Sequence, residues 1–263
     1  MFVVNSSFLK EVAQAASEQT LPRFRQKIAI DNKYTVGFDP VTEADREAEK
    51  AIRKVINQHF PDHGILGEEF GGENLDSSHI WVIDPIDGTR AFISGLPVWG
   101  TLVGLMVDGD ARIGMMSQPF TNEMFYALGD GAFWSGPEYA GNGGHVQLKT
   151  RQTTDLSEAT VFTTSPALFK DKQREAFDRL EAQVRLSRYG VDCYAYAMLA
   201  SGFADLVIES GLQPYDVMGL IPVIEQAGGV ITQADGGPAE KGGYIVAASS
   251  AALHEQALKL LNA

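Results

Sequence analysis

WVIDPIDGTRAF, residues 81–92, runs from the apolar Trp81, Val82 and Ile83 into Asp84-Pro85-Ile86-Asp87 and then Gly88-Thr89. The apolar run predicts a strand. Pro85, with no N–H to donate, predicts an extended backbone where pairing halts at a sheet edge. Asp84 and Asp87 stand three residues apart, and by themselves they have an ordinary reading, because turns favour aspartate for its local hydrogen bonds. Gly88 lets a ligand approach the backbone, and TRAFISG after it predicts a helix opening whose free amides face an anion. Carboxylates suited to a hard cation and amides suited to a phosphate are thus expected at one strand end.

The flanking segments give that strand a context. Before it, SSFLKEVAQAASEQT carries Phe8, Leu9, Val12, Ala15 and Ala16 at helical spacing, until Pro22 interrupts it. Asp39-Pro40-Val41-Thr42-Glu43-Ala44-Asp45 leads into a second helix with Ala48, Ala51, Ile52, Val55 and Ile56 on one face and Thr42 as its cap. GILGEEFGG then predicts a short strand stopping at Glu68 and Glu69. After the quoted stretch, VWGTLVGLMVDG, ARIGMMSQP and EMFYALGDGAFW predict an antiparallel meander. From ATVFTT onward strands and helices alternate, with YDVMGLIPVIEQAG as one helix, which predicts a layered α/β half. The fold class is therefore α/β, with residues 1–150 an α+β half around an antiparallel sheet and residues 151–263 an α/β half.

Composition narrows the function. With 263 residues and 44% hydrophobic content the chain can bury a large core. Its formal charge of -13 is spread along the chain, which repels nucleic acid and anionic membrane surfaces, so neither is expected as a partner. No apolar run has the length of a membrane span and no secretory signal pattern opens the chain, so a cytoplasmic location is expected. The single cysteine, Cys193, excludes an internal disulfide and is read as a packed thiol rather than a nucleophile.

Further acids could complete a magnesium shell with Asp84 and Asp87. Asp216 follows Pro214-Tyr215 at the start of a helix, where taken alone it reads first as a cap, and Glu68 could equally be a solvated strand-end charge. The order DPVTEAD, GEE, WVIDPIDGT, YDVMGLIPVIEQAGG resembles the inositol monophosphatase superfamily of magnesium-dependent, lithium-sensitive phosphatases, from Asp39 to about Gly229. The resemblance implies the layered αβαβα sandwich of the inositol monophosphatase and fructose-1,6-bisphosphatase type. It implies that Glu68, Asp84, the Ile86 carbonyl, Asp87 and Asp216 bind two or three Mg²⁺ ions. It also implies that Thr89 orients the attacking water, that Asp45 holds Thr89 or a third ion, and that Gly88 and Thr89 amides hold phosphate. A homodimer acting on a small phosphate monoester is the expected state.

A narrower resemblance is to the histidinol-phosphatase branch, carried by DPIDGTRAFISGLPVWGTL, SRYGVDCYAYAMLASGFADLVIE and LQPYDVMGLIPVIEQAGG. Inositol-type members tend to have Thr-Asn-Phe where Arg90-Ala91-Phe92 stands here, and Trp-Asp where Tyr215-Asp216 stands. Val191 departs from the branch, which often has a second glycine there. The resemblance places Asp192 and Glu209 on the alcohol side of the pocket, where they would meet the amine of L-histidinol phosphate. Asp192 could instead cap the helix after it and Glu209 could simply end a strand. Arg90 has three candidate partners: phosphate, a neighbouring subunit or an acidic residue. The alternatives are an inositol-1-phosphate or broad sugar-phosphate phosphatase, and an interaction protein that keeps the phosphatase fold.

Overall fold

Local signals start both N-terminal helices. In the computed structural model, which describes residues 3–27, 29–32, 40–138 and 142–263, α1 spans Ser6–Thr20. Asn5 caps it, its side chain accepting the Phe8 N–H at 3.0 Å. Phe8, Leu9, Val12 and Ala16 are buried along one face, as their spacing predicts. β1 (Ile30–Asn32) and β2 (Pro40–Thr42) form a small antiparallel ribbon. Asp39, the head of the DPVTEAD stretch, lies outside the described residues. α2 (Glu43–His59) opens on a reciprocal cap: the Thr42 hydroxyl accepts the Ala44 N–H at 3.1 Å, and Asp45 accepts the Thr42 N–H at 2.8 Å.

The first large sheet comprises β3 (Gly64–Gly67), β4 (Gly71–Glu73), β5 (His79–Asp87), β6 (Gly100–Val107), β7 (Asp110–Gln118), β8 (Glu123–Ala127), β9 (Ala132–Ser135) and β10 (His145–Gln147). Its order is β10-β9-β8-β7-β6-β5-β3-β4, with β6 to β9 as the expected meander and β3 running parallel to β5. A short helix, α3 (Thr89–Ile93), leaves the end of β5. Pro85 does not halt pairing at an edge. β5 lies between β3 and β6, and its register with β6 jumps from Asp84↔Leu102 to Asp87↔Gly100. The missing N–H is accommodated by this bulge, and the strand continues past it.

The second sheet has the order β12-β11-β13-β15-β14, from β11 (Thr160–Thr163), β12 (Leu186–Tyr189), β13 (Leu206–Leu212), β14 (Val230–Gln233) and β15 (Gly243–Ala248). Between these strands run α4 (Asp171–Glu181), α5 (Tyr194–Ala200), α6 (Pro214–Val217) and α7 (Ile221–Gln226), and α8 (Ala251–Leu261) closes the chain. The stretch read as one helix is two, because Gly219 and Pro222 break it between Val217 and Ile221.

Three apolar clusters define the layers. Phe8, Ile52, Ile56 and Trp81 join α1 and α2 to one face of the first sheet. Leu102, Met116 and Phe125 meet Tyr196, Leu199, Val223, Ile224, Val207 and Ile245, so α5 and α7 lie between the sheets. Phe177, Leu180, Leu253 and Ala257 pack α4 and α8 on the outer face of the second sheet with Val161, Leu206 and Val246. The result is the αβαβα sandwich expected. Burying each large side chain here contributes roughly 1.5–3 kcal/mol. Among the described residues, no helix is long and apolar enough to cross a membrane.

Candidate active site

The β5 bulge, α3, and the starts of α5 and α6 converge on one cavity. Its walls include Glu68, Asp84, Ile86, Asp87, Gly88, Thr89, Arg90, Asp192, Glu209 and Asp216, so every predicted site residue except Asp45 lines it. One ligand oxygen each from Asp84, Asp87 and Asp216 lies within 4.8 Å of the others. The bulge is what achieves this for β5. Two strand residues three apart would point to opposite faces, and the one extra residue in the bulge turns both carboxylates into one cavity.

Each acid is held by backbone amides. Asp84 Oδ1 accepts the Ile86 N–H at 3.0 Å, Asp87 Oδ2 the Cys193 N–H at 2.8 Å, and Asp216 Oδ2 the Gln213 N–H at 2.7 Å. The cap and the ligand readings of Asp216 are therefore compatible, since a carboxylate has two oxygens and the cap uses one. Burial, then the charges of Glu68, Asp87 and Asp216, push Asp84 well above the usual carboxylate range. Asp87 is raised as well, by burial and by Asp216 and Asp192, against the opposing hydrogen bond from Cys193. Like charges crowded this closely, as hard oxygen donors, fit a divalent cation with a preference for oxygen ligands.

Asp45 stands behind Thr89. The Thr89 hydroxyl is 3.3 Å from Asp45 Oδ1 and 3.1 Å from the Ile86 carbonyl, while Asp45 Oδ2 accepts from the Thr42 hydroxyl at 2.6 Å. Asp45 is buried, and burial raises its carboxyl against those Thr42 bonds. Gly88 adopts a left-handed conformation (φ 82°), and a side chain there would stand 3.1 Å from Asp192 and 3.3 Å from Trp99.

Two further carboxyls line the cavity. Asp192 does not act as the cap of α5: the N-cap position is Cys193, which has no side-chain cap bond, and Asp192 itself sits at φ 44°. Burial raises Asp192 to about 6, with the exposed Arg90 pulling it back. Glu209 does not end its strand, since β13 continues to Leu212. It is buried, accepts the Thr164 N–H at 2.6 Å, and is pushed up to about 8 by burial. Cys193 is buried with its thiol pushed well up by burial, consistent with a packed residue.

Sequence reading missed other residues of the cavity wall. Tyr196, Thr164, Ser210 and Gly211 line it, and the buried Tyr196 hydroxyl has no hydrogen-bond partner among the described residues. Helical spacing gave no signal for Tyr196, because Asp192 lies before α5 at φ 44° and is not on the helix.

Comparison with known proteins adds to this geometry. The model of the inositol monophosphatase family matches residues 5–263. The chain is 41% identical over 261 residues to the bifunctional phosphatase IMPL2, chloroplastic, of Arabidopsis thaliana, covering 95% of this chain and 72% of that one. It is 37% identical over 221 residues to a histidinol-phosphatase of Chlorobaculum parvum, covering 83% and 82%. Among solved structures, an inositol monophosphatase from Zymomonas mobilis superposes with a TM-score of 0.85 at 36% identity, covering 98% of this chain and 97% of that one.

Proposed function

The chain belongs to the inositol monophosphatase family, and from that membership we propose that it is a Mg²⁺-dependent phosphomonoesterase that hydrolyses L-histidinol phosphate to L-histidinol and phosphate. The observation that carries this reading is the number of carboxyls in one cavity. Asp84, Asp87 and Asp216 crowd within reach of one cation, and Asp192 and Glu209 line the same cavity without belonging to that group. The first three suit cations that bind phosphate. The other two suit a leaving alcohol that is itself cationic, because an ammonium favours their ionised forms and an uncharged polyol does not.

Glu68, Asp84, the Ile86 carbonyl, Asp87 and Asp216 would hold the metal. When bound, Mg²⁺ supplies positive charge to the phosphate oxygens and acidifies a water. Thr89 has one hydroxyl proton, and directing it to Asp45 or Ile86 leaves its lone pairs to accept a hydrogen bond from water on the cavity side. Glu68, beside Asp84, takes the proton of the attacking water. Gly88 and Thr89 amides hold phosphate oxygens, and Asp192 and Glu209 orient the amine and imidazole end. Arg90 tempers the charge of Asp192.

A phosphate-release panel across histidinol phosphate, inositol 1-phosphate and fructose bisphosphate, with and without Mg²⁺, tests this. Histidinol phosphate is expected to be turned over fastest. Preference for inositol 1-phosphate would move the assignment to the second reading, which the similarity to the Zymomonas mobilis inositol monophosphatase supports. Asp87→Asn is expected to lose Mg²⁺-dependent turnover almost entirely, and near-normal activity would remove the metal assignment. Glu209→Gln should raise KM for histidinol phosphate with less effect on inositol 1-phosphate.

A further inference from the structure

Glu49 is a fully buried carboxylate for which the chemistry above has no use. It lies on α2 four residues after Asp45, so the two carboxylates share one face of the helix. Burying a carboxylate is unfavourable unless hydrogen bonds and an opposite charge meet it. Here Oε2 accepts the Glu69 N–H at 2.7 Å and Oε1 the Phe70 N–H at 3.3 Å. Arg53 Nε donates to Oε1 at 2.8 Å, and the same guanidinium reaches the Gly71 carbonyl and, at 3.5 Å, the Glu73 carboxylate. A Cβ at Gly67 would fall on the Glu49 carboxylate, so only glycine lets it enter.

Glu68 heads this same turn. Its own N–H is bonded to the Ile83 carbonyl at 3.2 Å, one residue before Asp84, and the next two amides are bonded to Glu49. The turn is therefore clamped between β5 and α2. A clamp is needed there. Without a cation the Glu68 carboxylate is repelled by the neighbouring aspartates, and residues 70 to 76 are all exposed, so beyond the turn the β3–β4 pairing holds the chain with no buried side chain to anchor it.

We propose that Glu49 is a positioning residue for the metal centre, holding the Glu68 carboxylate against Asp84 through the amides of Glu69 and Phe70. One face of α2 thereby serves both proton-handling groups: Asp45 holds Thr89, and one turn later Glu49 holds the Glu68 turn. The inference rests on the reading of Glu68, Asp84, Asp87 and Asp216 as a metal site.

Calorimetric titration of the metal-free protein with Mg²⁺, beside thermal melts in EDTA, tests it. Glu49→Gln keeps the side-chain size but replaces one acceptor oxygen with an NH₂ group facing a donor. It is expected to weaken Mg²⁺ binding about 10-fold, the lower end for groups that orient a metal ligand, with kcat largely restored at saturating Mg²⁺. Asp205→Asn is the comparison. Asp205 is equally buried and accepts from the Thr160 N–H, the Thr153 hydroxyl and Arg151, but it does not line the cavity. That change should lower the melting temperature and leave Mg²⁺ affinity unmoved. Glu49→Asp, which keeps the charge for Arg53 and shortens the reach to the amides, should weaken binding by a smaller factor and serves if the Gln variant does not fold. A Mg²⁺ dissociation constant in Glu49→Gln or Glu49→Asp equal to that of the unsubstituted protein overturns the proposal, and so does equal weakening in Asp205→Asn. If the unsubstituted protein itself binds no Mg²⁺, the metal reading fails first and the inference falls with it.

Discussion

At the scale of single residues, the site stores electrostatic repulsion. Asp84 is buried among Glu68, Asp87 and Asp216, and its carboxyl is raised well above the usual range. Replacing Asp84 by Asn should therefore raise the melting temperature of the metal-free protein at neutral pH while abolishing turnover, a trade common at active sites. A melt in EDTA that shows Asp84→Asn less stable than the unsubstituted protein would contradict this. Glu209 makes a second case with a defined pH window. Its carboxyl is raised from 4.5 to about 8, so the folded chain holds a proton there that the unfolded chain releases. The stability it contributes is complete below about pH 4.5 and is lost as pH rises through about 8. Glu209→Gln should accordingly match the unsubstituted protein at pH 5 and melt a few degrees above it at pH 8.5, as paired melts across that range would show.

At the scale of elements, glycines set how closely the α6–α7 connection approaches the first sheet. A Cβ at Gly104 would stand 2.5 Å from the Met218 carbonyl oxygen, one at Gly219 would stand 3.0 Å from the Val103 nitrogen, and one at Gly114 would fall on the Gly219 carbonyl. These are backbone-to-backbone approaches, so no side chain can move aside. Asp216 lies in α6, two residues before Met218, and its distance from Asp84 and Asp87 depends on this approach. Gly114→Ala should destabilise the fold by about 1–3 kcal/mol through overpacking. It should also weaken Mg²⁺ binding, because α6 must shift away from β5; chemical denaturation and metal titration measure the two effects. The Asn5 cap of α1 was found only in the structure, but both helices were legible locally, α1 in its apolar spacing and α2 in its apolar spacing and the Thr42 cap. The Pro85 bulge was not, because whether a proline ends a strand or bulges it depends on the neighbouring strands, which are remote in sequence.

At the scale of the whole molecule, Asp84 and Asp87 come from β5 and Asp216 from α6, far apart in the chain, so only the folded chain can bring them within reach of one cation. Mg²⁺ should therefore stabilise by mass action, by about 2.7 kcal/mol at a hundredfold excess over its dissociation constant. Calorimetric melts should show a rise in melting temperature with Mg²⁺ that Asp87→Asn lacks. The sequence alone carried the helices and strands of the two halves, through local periodicity and caps, and the acids around WVIDPIDGTRAF, through short motifs whose family resemblance in turn implied the αβαβα layering. Only the tertiary structure decided that Asp192 and Glu209 share a cavity with Asp84, that Tyr196 joins them, and that Glu49 clamps the turn bearing Glu68. Each of those depends on a contact between elements distant in the chain, whose geometry is fixed by how layers pack and not by the residues adjacent in sequence.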